Sequence, residues 1–139
     1  MSVSLDGGGR SSAVISLDLT GYVNVENATL TGGLALNLTG NAAVNTLTGN
    51  TGNNILDGGT GIDTLSYRYA GQGVSVDLNL TTSQATGGSG SDTLRNFENL
   101  SGSKYDDKLL GNSANNKLSG DTGNDILNGR GGADNMIGG

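Results

Sequence analysis

The sequence predicts an all-β chain, a right-handed parallel β-solenoid of 18-residue coils with one widened coil, and three observations carry that expectation. The first is a nine-residue period: GNAAVNTLT from Gly40, GNTGNNILD from Gly49, GGTGIDTLS from Gly58, GGSGSDTLR from Gly87, GSKYDDKLL from Gly102, GNSANNKLS from Gly111, GDTGNDILN from Gly120 and GRGGADNMI from Gly129. The second is what the columns hold. Position 1 is Gly in all eight copies, and position 8 is Leu47, Leu56, Leu65, Leu94, Leu109, Leu118, Leu127 and Met136. In a chain that is 33% hydrophobic, such a column arises by chance about once in ten thousand. The third is composition. Gly alone fills 26 positions, and Asn and Asp together slightly more. These types turn a backbone rather than fill a core.

One nonapeptide cannot fold alone. Its single Leu contributes about 2 kcal/mol on burial, far less than the entropy lost on ordering nine residues, so neighbouring units must supply the core. Six turn-forming residues followed by three extended ones describe a tight bend leading into a very short strand whose middle side chain points inward. Two units make one coil with strands on opposite sides, and stacked coils place Leu on Leu. Eight copies give about four coils, a rod on the order of 20 Å long at ~4.8 Å per strand.

In chain order, residues 1–39 are expected to form a degenerate lead-in or cap, with GGGRSSAVI from Gly7 lacking the Asp and with strands over ISLDL (15–19) and LALNL (34–38). Residues 40–66 are the first nonapeptide run. Residues 67–101 hold the widened coil, one repeat and a connector: the insertion from Tyr67 to Thr86 is close to one coil in length, and VSVDLNL (74–80) alternates apolar and polar residues as a half-buried strand does. NFENLS then breaks the period. VENATLTGG (25–33) and FENLSGS (97–103) look related, each as a lead-in to a run of short repeats. Residues 102–139 are the second run, and the length suits one structural domain.

Composition excludes several function classes. No run approaches 18 apolar residues, and the first residues lack a basic segment followed by an apolar one, so neither a membrane span nor a signal peptide is expected. Seven Lys and Arg against 13 Asp and Glu leave a net charge of -6 with no basic cluster, which argues against a nucleic-acid partner. Zero Cys and zero His remove disulfides, thiolate nucleophiles, tetrahedral zinc sites and imidazole triads. Asp106 beside Asp107 does not flank a substrate as paired glycosidase carboxylates do, so the chain is expected not to be an enzyme.

Position 6 carries the chemistry. It holds only Asn or Asp: Asn45, Asn54, Asp63, Asp92, Asp107, Asn116, Asp125 and Asp134. Gly at positions 1, 2 and 4 lets the chain bend so tightly that carbonyl oxygens point to one side. Asp at position 6 adds a carboxylate to that side. Alternate units, one full coil apart, share an edge, so successive loops there can present two carboxylates and several carbonyls to one gap. This is the oxygen-rich and flexible donor set that calcium accepts.

GGTGIDTLS and GGSGSDTLR match the pattern G-G-x-G-x-D-x-U-x without a mismatch, GDTGNDILN departs only at Asp121 and GRGGADNMI only at Arg130. The chain therefore resembles the RTX, or haemolysin-type, calcium-binding nonapeptide β-roll over residues 40–139. The resemblance implies several calcium ions held between loops by Asp side chains and backbone carbonyls.

Asp107 lies one coil before Asp125, the one complete carboxylate pair in uninterrupted register and the best expected site. Asn116 with Asp134 and Asn45 with Asp63 offer one charge each, and the insertion obscures the partner of Asp92. The loop glycines Gly59, Gly61, Gly88, Gly90, Gly123 and Gly132 are the expected backbone contributors, while Asp57, Asp106 and Asp121 can add outer oxygens. Two carboxylates about 5 Å apart at an effective dielectric of 20 repel by roughly 3 kcal/mol, so metal is expected to be coupled to folding.

The competing interpretation is that Asn and Asp merely suit left-handed turns, leaving a ladder without metal. A Thr-x-Thr array begun by Thr46 and Thr48 does not continue in later copies.

The resemblance implies a calcium-binding module of a larger secreted protein, exported by the type I system of a Gram-negative bacterium and folding on extracellular calcium. The incomplete last repeat agrees with an excised piece of a larger parent. The alternative is a polysaccharide- or surface-recognition solenoid, adhesin-like, in which calcium is only structural and Tyr67, Tyr69 and Tyr105 line a sugar-binding surface.

Overall fold

The structure, a computed structural model, describes residues 2–6 and 15–139; most of GGGRSSAVI lies outside the described residues. Among the described residues there is no helix. The strands are β1 (Ser2–Asp6), β2 (Ile15–Asp18), β3 (Asn27–Thr31), β4 (Leu36–Thr39), β5 (Thr46–Thr48), β6 (Ile55–Asp57), β7 (Thr64–Ser66), β8 (Ser75–Asp77), β9 (Gln84–Gly87), β10 (Gly90–Arg95), β11 (Asn99–Ser101), β12 (Lys108–Leu110), β13 (Lys117–Ser119), β14 (Ile126–Asn128) and β15 (Asn135–Ile137). They stack as a parallel β-solenoid with two faces.

The first face is one seven-stranded sheet in the order β1-β3-β5-β7-β11-β13-β15. One register column in it is apolar from β3 onward: Ala28 pairs with Leu47, Leu47 with Leu65, Leu65 with Leu100, Leu100 with Leu118 and Leu118 with Met136. The second face is split. One part runs β2-β4-β6-β10-β9 and the other β14-β12-β8, with Leu38, Leu56 and Leu94 aligned in the first and Val76, Leu109 and Leu127 in the second. Period-two alternation turns every second side chain inward, and Leu38, Leu47, Leu56, Leu65, Leu109 and Leu118 are completely buried.

The split in the second face is the widened coil. After β7 the chain makes a tight turn closed by the Ala70 N–H donating to Tyr67 O at 2.8 Å. It then forms β8 and returns through β9, which pairs antiparallel with β10. The insertion is therefore a wedge on one face rather than an extra parallel coil. β8 is also shorter than the alternation of 74–80 suggested. Asp77 ends it, because its carboxylate accepts the Asn79 N–H at 2.8 Å and its carbonyl the Leu80 N–H at 3.2 Å, a turn that leaves Leu80 exposed. In the same way β4 begins at Leu36, and Leu34 is exposed.

Candidate metal-binding loops

Apart from Asp92, which lies inside β10, each position-6 residue sits where a loop enters a strand, two residues before the Leu or Met of position 8. Its side chain bridges coils. The Asn45 N–H donates to Asp63 Oδ1 at 2.7 Å, the Asp107 N–H to Asp125 Oδ1 at 2.9 Å and the Asn116 N–H to Asp134 Oδ1 at 2.9 Å. Each of these three pairs thus lies on one edge, in consecutive coils.

What happens to the remaining oxygens divides the loops into two kinds. In the loops from Gly40, Gly49, Gly102 and Gly111, position 2 is Asn41, Asn50, Ser103 or Asn112. Its side-chain oxygen accepts the N–H of position 4: Ala43 to Asn41 at 2.8 Å, Gly52 to Asn50 at 2.9 Å, Tyr105 to Ser103 at 3.1 Å and Ala114 to Asn112 at 2.9 Å. That turn aims the position-2 N–H at the position-6 side chain, at 2.8 Å for Asn41 to Asn45, 3.1 Å for Asn50 to Asn54, 2.6 Å for Ser103 to Asp107 and 2.8 Å for Asn112 to Asn116. These loops are closed by their own hydrogen bonds. Asp107 is saturated, since Oδ1 also accepts from Ser103 Oγ at 2.9 Å and from the Val74 N–H at 2.8 Å. Asn45 and Asn116 spend their amides on Val25 O and Glu98 O, at 3.1 and 2.7 Å.

In the loops from Gly58, Gly120 and Gly129, positions 2 and 4 are both left-handed: Gly59 and Gly61 at φ 92 and 137°, Asp121 and Gly123 at 75 and 125°, Arg130 and Gly132 at 69 and 104°. Position 2 turns its N–H away. The Gly59 and Arg130 N–H groups donate instead to Asp57 Oδ1 and Asn128 Oδ1, at 3.1 and 2.9 Å. As a result Asp63 Oδ2 and Asp125 Oδ2 are buried with no partner. A buried carboxylate oxygen without a donor is costly and rare. Burial pushes the Asp63 carboxyl up to about 6 against the pull of the Asn45 N–H, with the Glu98 and Asp57 charges adding to the rise.

These open loops also crowd against carbonyl oxygens of the preceding coil. A Cβ at Gly61 would lie 2.9 Å from Ala43 O and one at Gly123 2.7 Å from Tyr105 O, so only Gly allows both the left-handed backbone and the approach. The donor set fits a hard cation: a charged oxygen lacking a hydrogen bond, beside backbone carbonyls. Among the described residues no three carboxylates converge, so any such cation would depend on main-chain oxygens.

Asp92 differs from both kinds. It is completely buried, and its Oδ1 accepts the Asn54 N–H at 2.9 Å while Oδ2 accepts from Tyr67 Oη at 3.0 Å and Thr86 Oγ1 at 3.3 Å. Burial raises its carboxyl to about 6 even against these donors, and raises the Tyr67 hydroxyl well above its ordinary value. Gly88 and Gly90 stand in and beside the β9–β10 turn, with Gly87 and Gly90 left-handed at φ 80 and 85°. The GGSGSD stretch opens through a hairpin, although its Gly90 still approaches the loop at 49–54, where a Cβ would lie 2.6 Å from Gly52 O and the Ser91 N–H donates to Asn53 Oδ1 at 2.9 Å.

Two members of the network escaped sequence reasoning. Glu98 occupies position 6 in the first-face ladder, accepting the Asp63 N–H at Oε2, 2.8 Å away. The signal was present, because Glu98 precedes Leu100 by the same interval that separates each position-6 residue from its Leu. The other is the position-2 side chain, whose Asn accompanies Asn at position 6 in three copies.

The RTX calcium-binding nonapeptide repeat model matches residues 37–65, 97–125 and 110–139, in four copies that together span just over half of the chain. The chain belongs to the RTX calcium-binding repeat family. No curated protein matches it. Family membership implies a calcium-binding β-roll, a structural fold typical of secreted bacterial proteins. The wedge of this RTX roll, residues 66–96, falls outside the matched ranges.

Proposed function

We propose that this RTX roll is a non-catalytic module of a larger secreted protein that completes its folding on extracellular calcium, after export by a type I system of a Gram-negative bacterium. Asp63, Asp125 and Asp134 are the carboxylates assigned to metal, with main-chain oxygens of the loops at 58–63, 120–125 and 129–134. Asp107, Asn45 and Asn116 back these loops from the preceding coil through their N–H groups, and Asp92 is assigned to the core.

The observation that carries this proposal is the pair of orphaned, buried oxygens, Asp63 Oδ2 and Asp125 Oδ2. Bound calcium supplies the positive charge those oxygens lack. Without it, buried carboxylates oppose folding, and the apolar content is too small to absorb that cost easily. Zero Cys suits export of an unfolded chain, since nothing can cross-link early.

Circular dichroism across a calcium titration tests the proposal. The strand signal should be weak in excess chelator and rise cooperatively with calcium. A signal already complete in chelator contradicts the coupling.

A further inference from the structure

The wedge builds a second feature where the chain enters it, beside the hairpin turn that carries Ser89. Its turn at 67–70 leaves Tyr67 buried, anchored on Asp92, and throws Arg68 and Tyr69 out over the outer surface of the β3–β5 sheet. Tyr69 is 67% exposed, and the Arg68 guanidinium lies 5.0 Å from its ring centroid. One depression of about 550 Å³ is bounded by Leu30, Thr48, Ala70 and Ser89, and a second of about 320 Å³ by Asn27, Thr46 and Arg68. Thr29, Thr48 and Tyr69 line both, so the two adjoin at the tyrosine as one grooved surface.

The chemistry of the lining is selective. The hydroxyls of Thr29, Thr46, Thr48 and Ser89 have no hydrogen-bond partner among the described residues, although Thr48 and Ser89 are each only 4% exposed. In a chain with 13 acidic residues, no Asp or Glu lines either depression. The one charge present is Arg68, which has no carboxylate partner among the described residues.

An exposed aromatic face stacks on apolar C–H surface, unpaired hydroxyls serve a ligand rich in donors and acceptors, and a free guanidinium selects a carboxylate. A ligand of fused polar and apolar faces bearing a carboxylate meets all three. We propose that this groove binds an acidic oligosaccharide, with Tyr69 as stacking platform, Arg68 as carboxylate partner and the threonine row as hydroxyl contacts. Tyr105, stacked under Lys104 at 5.3 Å, lines neither depression and has no part in it.

The experiment is a screen of the full chain, folded in excess calcium, against an array of uronic-acid-bearing oligosaccharides and their carboxyl-reduced counterparts, followed by calorimetry on the strongest binder. The uronate form should bind. Tyr69→Ala should weaken it about tenfold or more, the loss expected for an aromatic anchor, and Arg68→Gln should erase the preference for the acid over its reduced form. Both side chains are exposed, so circular dichroism should show each variant as folded as the parent.

Absence of binding across the array, full binding by Tyr69→Ala, or equal affinity of the parent for acid and reduced forms overturns the proposal. Loss of strand signal on adding the glycan, meaning that it only strips calcium, overturns it as well. The calcium-dependent folding of the roll is read in the same spectra without glycan, so the two assignments fail separately.

Discussion

The loops at 58–63 and 102–107 both place Asp two residues before a buried Leu, yet they leave that Asp in opposite states. Asp107 is saturated by Ser103 and Val74, whereas Asp63 keeps an orphaned oxygen. The difference originates four residues upstream. Ser103 caps its own turn and aims its N–H at the carboxylate; Gly59, left-handed, cannot. Between these two loops, position 2 therefore decides whether the carboxylate is spent on the protein or left over for a cation, whereas Asp92, with Gly88 at position 2, is spent on Tyr67 and Thr86 of the wedge. The residue that carries the charge does not decide it alone.

The largest effect expected from this contrast is regional. In chelator, hydrogen exchange should lose protection first over 120–137, where two open loops follow one another and Leu127 and Met136 are the least buried of the position-8 column. Protection should persist longest around the closed loops at 40–54 and the wedge. Uniform loss would dissolve the distinction.

Next in size is a pair of variants. Asp125→Asn should reduce calcium affinity by about tenfold or more, since ligand charge sets affinity in oxygen sites, whereas Asp107→Asn should leave it nearly unchanged in the same calorimetry. Equal losses would show that closed loops bind as well.

A third test concerns the wedge. Tyr67→Phe removes a donor to a buried carboxylate and should cost about 1.5–3 kcal/mol, seen in the thermal midpoint, with calcium stoichiometry intact. A change in stoichiometry would return Asp92 to the ligand set.

The smallest effect is in pH. The Asp92 carboxyl is raised to about 6 by burial, above its unfolded value, so the folded state holds the proton more tightly. That contribution is complete at low pH and fades as pH rises through about 6. Asp92→Asn escapes the loss, so its stability relative to the parent should grow between pH 4 and 6.5, roughly the interval between the two pKa values. A gap independent of pH would place the carboxyl in its ordinary range.

The period, the two Leu columns and the two-unit register were legible in the sequence because each rests on one residue type per column and one elementary periodicity. The fate of individual repeats was not. GGSGSDTLR matches the consensus throughout, yet it folds as a hairpin, because glycines that permit a left-handed loop equally permit a tight β-turn. The inserted strands β8 and β9 choose between them. Glu98 was hidden by a chemical expectation: its longer side chain does not look like Asn or Asp, but the ladder needs only an oxygen within reach of the Asp63 N–H. Tyr67 and Tyr69, two residues apart, both line the larger depression, but the turn at 67–70 leaves only the second exposed, a difference that the sequence does not show.

The most direct measurement of the central claim is a crystal structure grown with abundant calcium, with anomalous scattering from a substituted lanthanide to mark the ions. Peaks beside Asp63 Oδ2 and Asp125 Oδ2, and none beside Asp92, are the expected result. Empty gaps at both open loops, or an ion held by Asp92, would contradict it.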